Sequence, residues 1–231
     1  MIGIVTAFRH ELQPLLARDS WQVEQRGWRR FHRRRLAGVE LVATSSGLGK
    51  VMAAAATQLL ISAYRPSLII NAGSCGGLAA EPGVGALVLA SEVIEYDFAS
   101  HEQEQPHLAC DPELVDLVAR RVPGLVTGPL ASADRNADTP EQRQWLRRTY
   151  GALAADWEGA AVVRVAARNR VPALVLRGIT DVGDDDLETE FTANVDGVMA
   201  ALGDVLRQVL AVLAAAGPAV NKRPPGEENR C

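Results

Sequence analysis

The chain has 231 residues, 48% of them apolar, and a formal net charge of −4. That length suffices for one large domain with its own core, while the charge argues against a general nucleic-acid binder or a protein held on anionic membranes, and no apolar run approaches the roughly 20 residues that span a bilayer. Cys75, Cys110 and Cys231 are odd in number and lack metal-ligand spacing, so a reducing, cytoplasmic setting is expected.

Ile2 to Thr6 reads as a buried strand. The stretch MIGIVTAFRHE that contains it is too short in its apolar part for a signal peptide, and Arg9, His10 and Glu11 interrupt it. A short helix is expected around Arg9 to Ala17, with Pro14 near its start. Trp21 to Leu36 and Val39 to Ser45 read as paired strands turning near Gly38. Lys50 to Tyr64 is Ala-rich with helical apolar spacing, a buried helix stopped by Pro66. Ser67 to Ala72 is an apolar strand ending in a glycine loop, Gly73 to Gly77. Val84 to Glu95 is a second long apolar run, and polar, aperiodic His101 to Asp111 reads as a surface loop. Pro112 to Arg121 is a helix and Gly124 to Ser132 a strand. Thr139 to Tyr150 is a helix with Thr139 as N-cap and Pro140 at its first position. Ala152 to Trp157 is strand-like, Gly159 to Arg168 helical, and Ala173 to Thr180 a strong strand. Phe191 to Ala214 is a long terminal helix.

Residues 1–216 thus read as a single catalytic domain, and the proline- and charge-rich segment 217–231 as a disordered tail. Strands alternating with helices predict a three-layer α/β/α fold. The hairpin-like early strands make its twisted central sheet mixed.

In open α/β sheets, sites gather at the carboxyl ends of strands. Four strand exits here carry polar groups: Glu11 after the first strand, Asn71 and Ser74 after SLIINA, Glu158 after the Ala152 strand, and Thr180-Asp181 after the last. Each has a plainer reading. Glu11 and Glu158 suit first helical turns, Asp181 suits a turn or cap, and the glycines suit a tight turn. The basic run Arg29, Arg30, His32, Arg33, Arg34, Arg35 alternates faces along a strand and reads as a solvated or charge-guarded edge. Asp184, Asp185 and Asp186 read as a solvated turn, not a metal site.

As a set, GIVTAFRHE, SSGLGKVMAAAA, IINAGSCGGL, ADWEGAAVVRVA and VLRGITDVGDD resemble the methylthioadenosine/S-adenosylhomocysteine nucleosidases of the purine nucleoside phosphorylase superfamily, over roughly residues 1–215. The resemblance implies a small-molecule nucleoside substrate, no cofactor and a homodimer. It gives Asp181 the role of acid to the departing base and Glu11 that of orienting and deprotonating water. Glu158 would hold the ribose hydroxyls, and Ser74 and Gly76 would belong to the sugar-facing loop. Phe191 would line the far end of the sugar pocket.

Such chemistry suits those residue types. Glycosidic cleavage passes through an oxocarbenium-like state, so a carboxylate near the ribose stabilises the charge while an acid protonates the leaving base. Phosphorylases of this superfamily place an arginine just before the glycine loop; Asn71 stands there instead, which favours water over phosphate as acceptor. Trp157 replaces the usual methionine under the ribose. Arg135, in the stretch Ala133-Asp134-Arg135-Asn136, stands near the position of a base-stacking aromatic, and Asp156 replaces a frequent glutamate. These departures keep futalosine hydrolysis, a phosphorylase drawing on the Arg29–Arg35 hairpin, and an inactive nucleoside-binding module open as alternatives.

Overall fold

The computed structural model describes residues 1–36, 38–98, 106–182 and 187–217. Its first strand, β1 (Ile2–Thr6), is buried at all five positions, as an apolar run at the centre of a sheet must be. It runs parallel to β4 (Val39–Ser45) on one side and β5 (Leu68–Gly77) on the other. Beyond β4 the sheet continues antiparallel through β3 (Arg29–Leu36) to β2 (Gln22–Arg26).

On its other side the sheet curls. β5 pairs in parallel with β10 (Ala173–Asp181), which is antiparallel to β6 (Leu87–Glu95). β6 runs parallel to β8 (Leu125–Ser132), β8 parallel to β9 (Ala154–Asp156), and β9 returns antiparallel to β5 at Gly76 and Gly77. Five strands therefore close into a ring at one end of a mixed ten-stranded sheet.

Helices cover both sides. α2 (Lys50–Tyr64) packs on α5 (Gly159–Arg168), while α1 (Arg9–Leu16) and α3 (Pro112–Arg121) pack on α6 (Leu187–Ala215). The core between the layers is built from fully buried aliphatics such as Ile4, Leu60, Ile70, Val88 and Leu174. α2, α3 and α5 span the residues their apolar spacing predicts. α4 (Pro140–Tyr150) starts at the expected cap, with the Thr139 hydroxyl accepting from Gln142 N at 3.2 Å.

Several expectations are corrected. Trp21 to Leu36 is a hairpin, not one strand: Gly27, at φ +54°, and Trp28 form a two-residue turn between paired Arg26 and Arg29. Pro14 lies well inside α1 and packs on Gly203 of α6, where a Cβ would come within 2.6 Å of Pro14 Cβ. Gly73 to Gly77 is no loop but the end of β5, held on both sides by β10 and β9. Within the expected surface loop, His107–Ala109 forms β7 against β6; residues 99–105 lie outside the described part. α6 begins at Leu187, ahead of Phe191. Its span Thr189–Ala215 also overturns the claim that nothing approaches membrane-spanning length, for its mean hydropathy reaches 1.7. In this fold Leu202, Leu206, Val209 and Leu213 bury that apolar stripe in the core. Asp184 to Asp186, and the segment beyond residue 217, lie outside the described residues.

Candidate active site

A cleft of about 230 Å³ opens where β1, β5, β9 and β10 end. Every residue singled out from the sequence lines it. Glu11, Ser74 and Gly76 stand on the sheet side, Trp157, Glu158 and Asp181 beside them, and Arg135, Asn136 and Phe191 around the mouth.

Glu11 sits in the first turn of α1 and folds back over the helix start. One carboxylate oxygen accepts from the backbone N–H groups of Ala7 and Phe8, each at 2.9 Å. The other accepts from the backbone N–H and the hydroxyl of Ser74, both at 2.8 Å. Four donors thus meet the acceptor positions a carboxylate offers. The approach requires glycine at 73, where a Cβ would lie 2.8 Å from Glu11 Oε1.

Asp181 closes β10. Thr180 Oγ1 lies 2.8 Å from Asp181 Oδ2 and 3.2 Å from the carbonyl of Cys75. Asp181 Oδ1 faces Gly76, whose absent Cβ would be 3.1 Å away. Glu158 caps α5 and reaches across to the start of α2, accepting from Gly49 N at 2.9 Å. Burial, followed by the negative charge of Asp156, pushes its carboxyl up to about 7; Arg177 and the Gly49 N–H pull the other way.

The mouth is shaped by side-chain pairing. Trp157 Nε1 donates to Asn136 Oδ1 at 2.9 Å. The Arg135 guanidinium stacks 5.1 Å from the centre of the Tyr96 ring, and Tyr96 Oη donates to the Arg135 carbonyl at 2.8 Å. Phe191 meets His10 edge-on at 6.5 Å, and His10 stacks on Phe8 at 5.2 Å.

Sequence reasoning missed the group behind this cleft. Arg177, buried within β10, forms a salt bridge with Asp156 and donates to Asn71 Oδ1, while Asn71 Nδ2 donates to the Val5 carbonyl at 2.9 Å. Burial works against the guanidinium charge, but Asp156, Glu158 and Glu11 outweigh it and raise its pKa. The available signal was an arginine inside the apolar run ALVLRGITD, since a charge there needs an acid beside it. None of Arg29 to Arg35 lines the cleft, so the hairpin of this same chain places no guanidinium at the site.

The phosphorylase superfamily model matches residues 1–211. A 5′-methylthioadenosine/S-adenosylhomocysteine nucleosidase from Chromohalobacter salexigens is 31% identical over 215 residues, covering 84% of this chain and 90% of that protein. The structure aligns at TM-score 0.86 and 23% identity with a Helicobacter pylori 5′-methylthioadenosine/S-adenosylhomocysteine nucleosidase bound to butyl-thio-DADMe-Immucillin-A, over 90% of this chain and 97% of that one. A futalosine hydrolase mutant from the same organism aligns at TM-score 0.86 and 23% identity, with the same coverages. At such identities the structural likeness is one of fold, and it matches the curled mixed sheet described above. By the superfamily match along most of its length and by its kinship with the nucleosidases, the chain belongs to the phosphorylase superfamily, among the 5′-methylthioadenosine/S-adenosylhomocysteine nucleosidase-like proteins.

Proposed function

We propose that this protein hydrolyses the N-glycosidic bond of a purine nucleoside of the methylthioadenosine/S-adenosylhomocysteine type. The observation that carries the reading is the convergence of Glu11, Glu158 and Asp181 on one cleft. Asp181 hands its proton to the departing base. Thr180 Oγ1 lies between Asp181 and the Cys75 carbonyl; by donating to that carbonyl it accepts from a protonated Asp181, which keeps the acid oriented. Glu158 in its ionised form binds the ribose hydroxyls and stabilises the positive charge that develops on the sugar. Glu11, fixed by Ser74 and the start of α1, orients the attacking water and takes its proton. The water oxygen bonds to the anomeric carbon as the bond to the base breaks, giving free base and a ribosyl product.

Water rather than phosphate suits this cleft. Its lining holds one cationic side chain, Arg135, against the carboxyls of Glu11, Asp156, Glu158 and Asp181, a poor setting for a dianion. The test is base release from methylthioadenosine, S-adenosylhomocysteine, inosine and futalosine, each with and without phosphate. Equal rates in the two buffers are expected for the nucleoside that is turned over. Phosphate-dependent turnover, or binding without release, overturns the reading. Asp181→Asn should lower base release by about 10²–10⁴-fold with an unchanged circular dichroism spectrum, and near-normal turnover by that variant removes the assigned role. The same reading makes the enzyme a cytoplasmic homodimer. Sedimentation at twice the chain mass of 24.7 kDa is its check, and a single species at that mass overturns it.

A further inference from the structure

A second cleft, of about 250 Å³, lies between α1 and the β2–β3 hairpin and shares no lining residue with the first. Arg9, Arg30 and His32 border it together with Trp28, Gln13 and Gln25, and no carboxylate does. We propose that this basic cleft is a binding site for a phosphate group, separate from the nucleoside cleft.

The plainer reading of this hairpin is a solvated basic edge, and three of its arginines fit that description. Arg33 pairs with Glu24 at 3.9 Å, Arg34 with Asp19 at 2.9 Å and Arg35 with Glu40 at 3.9 Å. Arg9 and Arg30 differ: among the described residues neither has an acidic partner, and both turn to the same cavity as His32. Their mutual proximity is felt at His32, which is held below its ordinary value first by burial, then by the charges of Arg30 and Arg9. Gathering like charges around one hollow costs Coulomb energy, in a chain whose net charge is negative. An anion seated between them offsets that cost through charge-assisted hydrogen bonds.

Arg29 builds the frame and takes no part in binding. It donates to the Ser45 carbonyl at 2.8 Å and to that of Ser46, and it stacks 3.9 Å from the centre of the half-exposed Trp28 ring. That fixes the indole as one wall and pins the hairpin to the end of β4. The helix α1 therefore has two working sides. Phe8 and Glu11 face the nucleoside cleft, whereas Arg9 and Gln13 face the basic one. The volume admits inorganic phosphate or the phosphate of a small sugar ester.

Calorimetric titration of the full chain with inorganic phosphate and, separately, with ribose 5-phosphate tests the site, with chloride at matched ionic strength as control. One saturable site is expected, weakened by about tenfold or more for each guanidinium removed in Arg9→Ala and Arg30→Ala. Tighter binding of ribose 5-phosphate assigns an ester; equal binding assigns the free anion. Base release in phosphate-free buffer should be unchanged in both variants, which also shows that they fold. Absence of saturable binding, or variants that bind like wild type, overturns the proposal. Neither result touches the hydrolase reading, which phosphate-dependent turnover would overturn by itself.

Discussion

A carboxyl buried next to a second carboxyl resists ionisation, and Glu158 stands in that position beside Asp156. If its anion supports the ribose, kcat/KM should rise with pH and level off above about 7, and Glu158→Gln should lose that limb along with most activity; a flat profile between pH 5 and 8 in the wild type would refute the role. Stability runs the other way. Below the ordinary value of 4.5 the group is protonated whether folded or unfolded, while between 4.5 and about 7 the native state holds a proton that the unfolded chain releases. Stability therefore falls as pH rises through that window, by an amount on the order of 1–3 kcal/mol, and urea melts of Glu158→Gln should lack that slope. The salt bridge behind it obeys a harsher rule. Asp156→Asn leaves the Arg177 charge buried without its counter-ion, at a cost of about 3–5 kcal/mol in urea unfolding; a loss below about 1 kcal/mol would mean that Asn71 and Glu158 carry the guanidinium without it.

At the level of elements, what distinguishes β5 is that it stays extended through five residues that look like a turn. Glycine after glycine suggests a reversal because small residues tolerate one. Here they serve close approach: side chains at 73 and 76 would press on Glu11 and Asp181. Gly73→Ala should thus lower base release by about tenfold or more through misplacement of Glu11, while the melting temperature shifts by no more than a few degrees; unchanged kinetics would show that Glu11 yields without consequence. Apolar spacing made α2, α3 and α5 legible because each buries one stripe and exposes the rest. The strand exits exposed Glu11, Glu158 and Asp181 for the same reason, since polar residues after buried strands stand out. The partnership of Arg177 with Asp156 was not legible, because strand pairing through β9 and β5 brings together residues on different strands. β7, with three residues, is too short for any alternation to register, and Gly27 was overlooked as a turn because the basic residues around it suit a strand as well.

For the whole molecule, composition predicted a single α/β body correctly but misjudged its last helix. α6 is as apolar as a membrane span, and its destination depends on whether a sheet is there to receive it. Here Val198 and Met199 press toward Gly178 of β10, where a Cβ would come within 2.4 Å of Val198 Cγ1. Charge is also unevenly spread. Acids crowd the nucleoside cleft and cations the neighbouring one, so two hollows on opposite sides of one helix attract ligands of opposite sign. The ring of β5, β10, β6, β8 and β9 has a further consequence. A sheet rolled shut at one end offers few places for another polypeptide to zip on. Among the described strands, β2 and β7 each keep a single neighbour. β7 is three residues long, and β2, QVEQR, turns mostly polar side chains to solvent. Loss of the first hairpin would strip away that polar guard and bare the apolar margin of β4, giving misassembled chains a template for fibrous growth that the intact protein withholds.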